Sequence, residues 1–381
     1  MIGQSIPQTK ERIYLDFNAS TPLAPEVDAA MRAVLEEPYG NPSSNHWAGV
    51  PAREAVEKAR SQVARVLNCN PSEVVFTSGG SESNNHALKG VYFAKRIPDG
   101  HLITTQVEHP AIINPCKFLE RLGASVTYLP VDRYGRVDPA DVRSALTPRT
   151  ILISVMHANN EVGTIQPIAE IARIAHEHDV LFHTDAAQSV GKIATDVHSL
   201  GVDLLSLAGH KLYAPKGVGA LYIREGVRLE PLIHGASHEA GRRAGTENIL
   251  LDVGLGAACE LARSRGMRPT QELRDLFWDL LRAEFGDGIV LNGHPSERLP
   301  NTLNVSFVGR VGSDILLRLD GVAASTGSAC HSGSVELSPV LKAMAVAPET
   351  AMGAIRFSLG LTTTRAEIQE VVNRLKRILV R

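Results

Sequence analysis

A lysine placed directly after an apolar run is the first candidate for chemistry. In Leu205-Ser206-Leu207-Ala208-Gly209-His210-Lys211 the amine of Lys211 stands where a buried strand would end. Partial burial lowers a lysine's pKa and makes it a candidate Schiff-base nucleophile, although surface lysines far outnumber such cases. A second apolar run, Val180-Leu181-Phe182-His183-Thr184-Asp185-Ala186-Ala187-Gln188, brings an acid to an equivalent point. A carboxylate there needs a cation or a donor, which a protonated heterocyclic nitrogen or a plain helix N-terminus would supply. Phe76-Thr77-Ser78-Gly79-Gly80-Ser81-Glu82-Ser83-Asn84-Asn85 offers backbone N–H groups and hydroxyls to a phosphate, or simply caps a helix through a flexible turn. It is no Walker A loop, since no Gly-Lys-Ser/Thr follows. Gln106-Val107-Glu108-His109-Pro110 adds one histidine, which taken alone is more often solvated or structural than catalytic. Met156-His157-Ala158-Asn159-Asn160-Glu161 adds amides that either turn the chain or hold a ligand. The combination says more than its members. A phosphate cradle, a ring-facing histidine, a strand-end acid and a strand-end lysine form the protein half of a pyridoxal-phosphate site.

These residues need a scaffold that presents strand ends. Strand-like runs at Glu73–Thr77, Leu102–Thr105, Ser125–Leu129, Thr150–Met156, Val180–Thr184, Asp203–Leu207 and Gly219–Ile223 are interspersed with helical patterns such as Val27–Glu37, Ala52–Leu67 and Ile168–His178. This alternation predicts an α/β unit with a mostly parallel sheet covered on both faces, and such sheets bind ligands at the carboxyl ends of their strands. After about Glu260 the texture becomes that of a smaller α+β unit. It has helices over Gln271–Phe285, Asp314–Leu319 and Arg365–Val380, and strands over Thr302–Phe307 and Ile355–Leu359. The boundary falls near residues 258–270.

Composition fits that picture. The 381 residues are 44% hydrophobic and 21% charged, with 39 Lys plus Arg against 41 Asp plus Glu, a net charge of −2. Such near-balance argues against bulk electrostatic binding of nucleic acid. No apolar run is long enough to span a membrane, and Met1–Arg12 lacks the apolar core of a signal peptide. Cys69, Cys116, Cys259 and Cys330 are widely spaced with no CxxC, which points to a reducing cytoplasm rather than a disulfide framework. Neither HExxH nor paired CxxC supports a metal site or a metal-binding sulfur carrier, and no GxGxxG supports a nicotinamide dehydrogenase.

Several long motifs then resemble one family from end to end, the cysteine desulfurases of the NifS/IscS type within the class-V aminotransferases. They run from Tyr14-Leu15-Asp16-Phe17-Asn18 and Gly40-Asn41-Pro42-Ser43-Ser44 to Ile355-Arg356-Phe357-Ser358-Leu359-Gly360. The most specific are His183–Gln188, Gly209-His210-Lys211 and Gly327-Ser328-Ala329-Cys330. The resemblance implies an aspartate-aminotransferase-like fold, with a large cofactor domain over residues 17–262 and a small domain formed by residues 1–16 and 263–381. It implies that Lys211 binds the cofactor aldehyde and shuttles protons, that Asp185 pairs with the pyridine nitrogen, and that Gln188 meets the ring oxygen. His109 would stack on the ring and move protons. Gly80, Ser81 and His210 would hold the phosphate, with Thr246 reaching it from the second subunit of a homodimer. Asn160 and Arg356 would grip the carboxylate of L-cysteine. Ala208 departs from the pattern, because many relatives carry there a serine whose hydroxyl binds the phosphate.

Cys330 lies among small residues in Ser325-Thr326-Gly327-Ser328-Ala329-Cys330-His331-Ser332-Gly333-Ser334, which predicts a mobile exposed loop rather than regular structure. Cys69 and Cys259 read as buried structural thiols, and the sequence leaves Cys116 open. By the resemblance, Cys330 is the nucleophile that takes the substrate sulfur as a persulfide while alanine leaves. The sulfur would pass to an acceptor protein such as an iron–sulfur scaffold. A selenocysteine lyase is the alternative within the same scaffold.

Overall fold

The computed structural model describes residues 12–266, 268–326, 330–331, 334–335 and 337–379, with backbone only at 268, 330, 331, 334 and 335. Seven strands form the main sheet: β1 (Val74–Thr77), β2 (His101–Thr105), β3 (Ser125–Leu129), β4 (Thr150–Ser154), β5 (Leu181–Asp185), β6 (Leu204–Ala208) and β7 (Gly219–Ile223). Their order is β1-β7-β6-β5-β4-β2-β3. β2 to β6 pair in parallel, and only β7 runs antiparallel to its neighbours. Side chains alternate across each strand. Val74, Phe76, Leu205, Leu207, Ala220 and Tyr222 enter one core, while Val75, Leu204, Leu221 and Ile223 enter the other. The first core is closed by α1 (Pro25–Glu36), α2 (Gly49–Leu67), a helix over Ile168–Glu177 and another over Ile249–Ser264. On α2, Val56, Ala59, Val63, Ala64 and Leu67 repeat at helical spacing, and Asn68 at φ 56° ends the helix. The second core is closed by α3 (Gly80–Lys95) and α4 (Pro110–Glu120).

A separate three-stranded antiparallel sheet is made of β8 (Ile289–Asn292), β9 (Thr302–Phe307) and β10 (Ala354–Ser358), with β9 central. Its core joins Leu303, Val305, Ile355 and Phe357 to Phe277 and Leu281 of one helix (Arg268–Phe285) and Ile368 and Leu375 of the last (Arg365–Leu379). Ile13 and Leu15 belong to this core too, because Ile13–Tyr14 pairs in parallel with Val322–Ala323. The chain therefore starts against its C-terminal part and then crosses to the main sheet.

Two expectations need correction. Cys330–His331 pairs antiparallel with Ser334–Val335, so part of the segment read as an irregular loop is a short β-ladder. Its two-residue separation is the spacing tight hairpins favour. Gly327–Ala329, Ser332 and Gly333 lie outside the described residues. Cys69 is only half-buried rather than buried, since it follows the left-handed Asn68 at the end of α2; Cys259 is buried, as is Cys116.

Phe277 is fully buried and meets Phe357 edge-on at 5.1 Å between ring centroids. Phe277→Ala should destabilise the protein by about 3–5 kcal/mol in urea unfolding. Leu317→Ala, on a side chain 86% exposed, should cost no more than about 0.5 kcal/mol. Equal costs would contradict this packing.

Candidate active site

The carboxyl ends of β1, β5 and β6 open into one cavity of about 700 Å³, closed on the far side by residues 18–20 and by Arg356 of β10. Gly80, Ser81, His109, Asn160, Asp185, Gln188, His210, Lys211 and Arg356 all line it. Thr246 does not. It faces a neighbouring crevice that shares Ser78, Gly217 and Val218 with the cavity.

One end is built for an anion. Gly79 has φ +145°, a conformation open to glycine, and turns the chain sharply from β1 into α3. The first intrahelical bond of α3 is Ser83 N–H to Gly79 C=O, so the amides of Gly80, Ser81 and Glu82 precede the helical ladder at the positive end of its dipole. A side chain at 80 would place its Cβ 3.2 Å from Ala208 Cβ, so glycine keeps the backbone accessible there. His210 adds a ring whose pKa burial lowers to about 4, with help from the charges of Lys211 and Lys216. It is therefore neutral, with Nδ1 3.4 Å from Ser20 Oγ.

The floor carries the acid. Asp185 ends β5, buried, and accepts from Asn84 Nδ2 at 2.7 Å and from the Ala187 N–H at 2.9 Å. Asp185 thus closes the turn that follows β5 and also lines the cavity. His109 caps α4 by accepting from the Ala111 N–H at Nδ1, 3.1 Å, so its neutral ring carries the proton on Nε2. Desolvation holds its pKa below the ordinary value; Asp185 opposes that shift and Lys211 adds to it.

Lys211 Nζ donates to the carbonyls of Asn18 and Ala19, each at 2.7 Å. Burial and the nearby Arg356 charge lower its pKa to about 8, against the pull of Asp16 and Asp185. Arg356 donates to Asp16 Oδ1 at 2.8 Å and to the Asn160 carbonyl at 2.9 Å, while its Nε is buried without a partner. Arg356 lines the cavity beside an Asn160 side chain with no hydrogen bond among the described residues. The structure adds Asp16, Asn18 and Asn84 to the residues picked out by chemistry in the sequence. Asp16 and Asn18 lay inside a motif that carried the family resemblance and Asn84 inside the candidate phosphate loop, but nothing local pointed to their partners.

A seven-stranded, mostly parallel sheet with a strand-end lysine and acid beside an anion-binding helix terminus defines the class. The chain belongs to the class-V aminotransferase family, whose pattern matches residues 13–371. Among curated proteins it is 52% identical to the cysteine desulfurase IscS of Dictyoglomus turgidum over 375 residues, 97% of this chain and 95% of that protein. It is 46% identical to the protein of the same name from Methanosarcina thermophila, over 97% of this chain and 92% of the relative. Among solved structures, a NifS-like protein superposes with a TM-score of 0.91 at 38% identity, covering 97% of this chain and 99% of its own. The structure of SspA in complex with cysteine superposes with a TM-score of 0.82 at 40% identity, covering 91% and 98%.

The lowered pKa of Lys211 has a direct consequence in the cofactor-free protein. Its acylation rate, followed by peptide mass spectrometry, should rise with a midpoint near pH 8. Arg356→Met should move that midpoint upward, because a cation that disfavours the protonated amine is gone. A parent midpoint near the ordinary value of about 10.4 would contradict the described burial.

Proposed function

We propose that this protein is a pyridoxal-phosphate-dependent cysteine desulfurase, converting L-cysteine to L-alanine and taking the sulfur onto Cys330 as a persulfide. The observation that carries the reading is the convergence of Lys211, Asp185, Gln188, His109 and Arg356 on one cavity. Full-length relatives named cysteine desulfurase support it. The cavity fits the cofactor: it offers free helix amides at Gly80 and Ser81, a strand-end carboxylate and an amine of lowered pKa.

Pyridoxal phosphate, when bound, supplies an electron sink for the pair left on the substrate α-carbon after its proton departs. The protein's own groups do the rest. Gly80, Ser81 and His210 hold the phosphate, with Thr246 contributed by the second subunit of a homodimer. Asp185 keeps the pyridine nitrogen protonated, Gln188 donates to the ring oxygen, and His109 covers the ring face and carries a proton on Nε2. Lys211 would hold the cofactor through its aldehyde, and its amine, of lowered pKa, would move the substrate α-proton. Asn160 and Arg356, both lining the cavity, would orient the substrate carboxylate. The Cys330 thiolate attacks the substrate sulfur. The other three thiols suit this poorly, since burial raises each of their pKa values to about 12.

In this reading residues 17–262 are the large domain and residues 1–16 with 263–381 the small one, which brings Arg356 and Cys330 to the cofactor. The persulfide sulfur passes to an acceptor protein such as an iron–sulfur scaffold, in a cytoplasm that keeps thiols reduced.

The test is alanine release from L-cysteine by the cofactor-loaded protein. Lys211→Ala should abolish both turnover and Schiff-base absorbance. Cys330→Ala should retain the absorbance yet lose turnover roughly a hundredfold or more. Parent-rate turnover by the Cys330 variant would overturn the nucleophile, and alanine from selenocysteine alone would make the protein a selenocysteine lyase.

A further inference from the structure

Lys192 lies behind the cavity, on no surface that substrate touches. Its stem lines a narrow apolar crevice with Phe17, Leu212 and Leu261, while its amine is enclosed in the wall. It makes no ion pair among the described residues. Instead Nζ donates to Gln188 Oε1 at 2.8 Å and to Asn18 Oδ1 at 3.2 Å. The charged groups bearing on it are Lys211 and Arg356, both cations, and with burial they press its pKa down to about 7. A lysine kept in such surroundings without a counter-ion is costly, so what it holds deserves a reason.

The reason lies in what an ammonium can do. In its protonated form it only donates, so the atom of Gln188 that faces it is then the oxygen, as the 2.8 Å contact to Oε1 has it. That fixes the orientation of the amide. Nε2 then points away from Lys192 and donates to the Asn18 carbonyl at 2.9 Å, leaving its second N–H for the cavity that Gln188 lines. Lys192 and the Asn18 carbonyl together set this orientation, and without Lys192 the Gln188 oxygen loses its donor and the amide is held by the Asn18 carbonyl alone.

Local structure enforces the arrangement. Gln188 and Lys192 stand four residues apart on a helical turn closed by the bonds Val190 N–H to Ala186 C=O and Ile193 N–H to Ser189 C=O. Gly191, within this turn, has φ +75°, and a Cβ there would lie 2.2 Å from Leu212 Cδ1.

We propose that Lys192 is a positioning residue that locks Gln188 with its amide donor toward the cavity, and so toward the phenolic oxygen of the pyridoxal ring. This rests on the cofactor reading above. A donor at that oxygen favours its anionic form and lowers the pH at which the Schiff base between Lys211 and the cofactor loses its proton.

The experiment is a spectrophotometric pH titration of the Schiff base in the loaded protein, with circular dichroism to confirm folding. Lys192→Met, close in shape, should move the midpoint upward by about one pH unit, the equivalent of one hydrogen bond to a charged group. Lys192→Gln, neutral but still able to donate to Gln188, should stay near the parent. Gln188→Ala should carry the shift alone, with Lys192→Met adding nothing in that background. The proposal is overturned if Lys192→Met titrates like the parent, if Lys192→Gln shifts as far as Lys192→Met, or if Lys192→Met adds its full shift in the absence of Gln188. A parent without Schiff-base absorbance would overturn the cofactor reading, and this proposal with it.

Discussion

The site depends on the hydrogen bonding of one buried residue, Asn18. Its carbonyl accepts from Lys211 Nζ and from Gln188 Nε2. Its side chain donates to the Asn160 carbonyl and to Thr302 Oγ1, and accepts from Lys192 and Asn301. Its own N–H reaches Ser358 Oγ. Thr302 and Ser358 belong to the three-stranded sheet, whereas Gln188 and Lys211 follow strands of the seven-stranded one. This asparagine thus ties together two hydrophobic cores that each fold around their own sheet, alongside bonds such as Asn304 Nδ2 to the Glu161 carbonyl and Leu299 N–H to the Gly163 carbonyl. An amide is suited to this, because it donates and accepts without the desolvation cost of a charge.

Electrostatics around that point follow from burial. Protonation of Lys211 is disfavoured by desolvation and by Arg356, so its amine becomes available near neutral pH. Desolvation is likewise the main cause that lowers the pKa of His109 and of His210. Fixed charge is instead concentrated where pairing makes it tolerable. Arg356 is anchored by Asp16, an ion pair between the segment entering the main sheet and a strand of the smaller one. The outcome is a cavity with one half-committed guanidinium, neutral donors and a carboxylate at its floor. Such a set is suited to holding a carboxylate while still moving protons.

Much of this was legible in the sequence for physical reasons. Gly219–Ile223 and Ser125–Leu129 are short apolar-rich runs between turns, and a parallel sheet puts chemistry at strand ends, which is where Asp185 and Lys211 lie. Other features left no local trace. Gly-Ala-Leu-Tyr-Ile reads the same whichever way it runs, so the reversed direction of β7 was invisible. Pro110–Glu120 carries Pro115 within it, which masks a helix of only 11 residues. β8 is four residues long and follows a Gly-Asp-Gly turn. The partners of Asn18 and Asp16 lie up to 340 positions away, and their roles exist only after the chain closes on itself. Cys330 was legible as a thiol among small residues, but its pairing with Val335 was not.

The central claim of the proposal is that the Cys330 thiol takes the sulfur of an L-cysteine bound in the cavity organised around Asn18. Its most direct test is peptide mass spectrometry of the pyridoxal-phosphate-loaded protein after one equivalent of L-cysteine, with free thiols blocked at once. The account predicts one added sulfur on the peptide bearing Cys330 and none on those bearing Cys69, Cys116 or Cys259. Alanine release with no sulfur on Cys330, or sulfur on another cysteine instead, would contradict it.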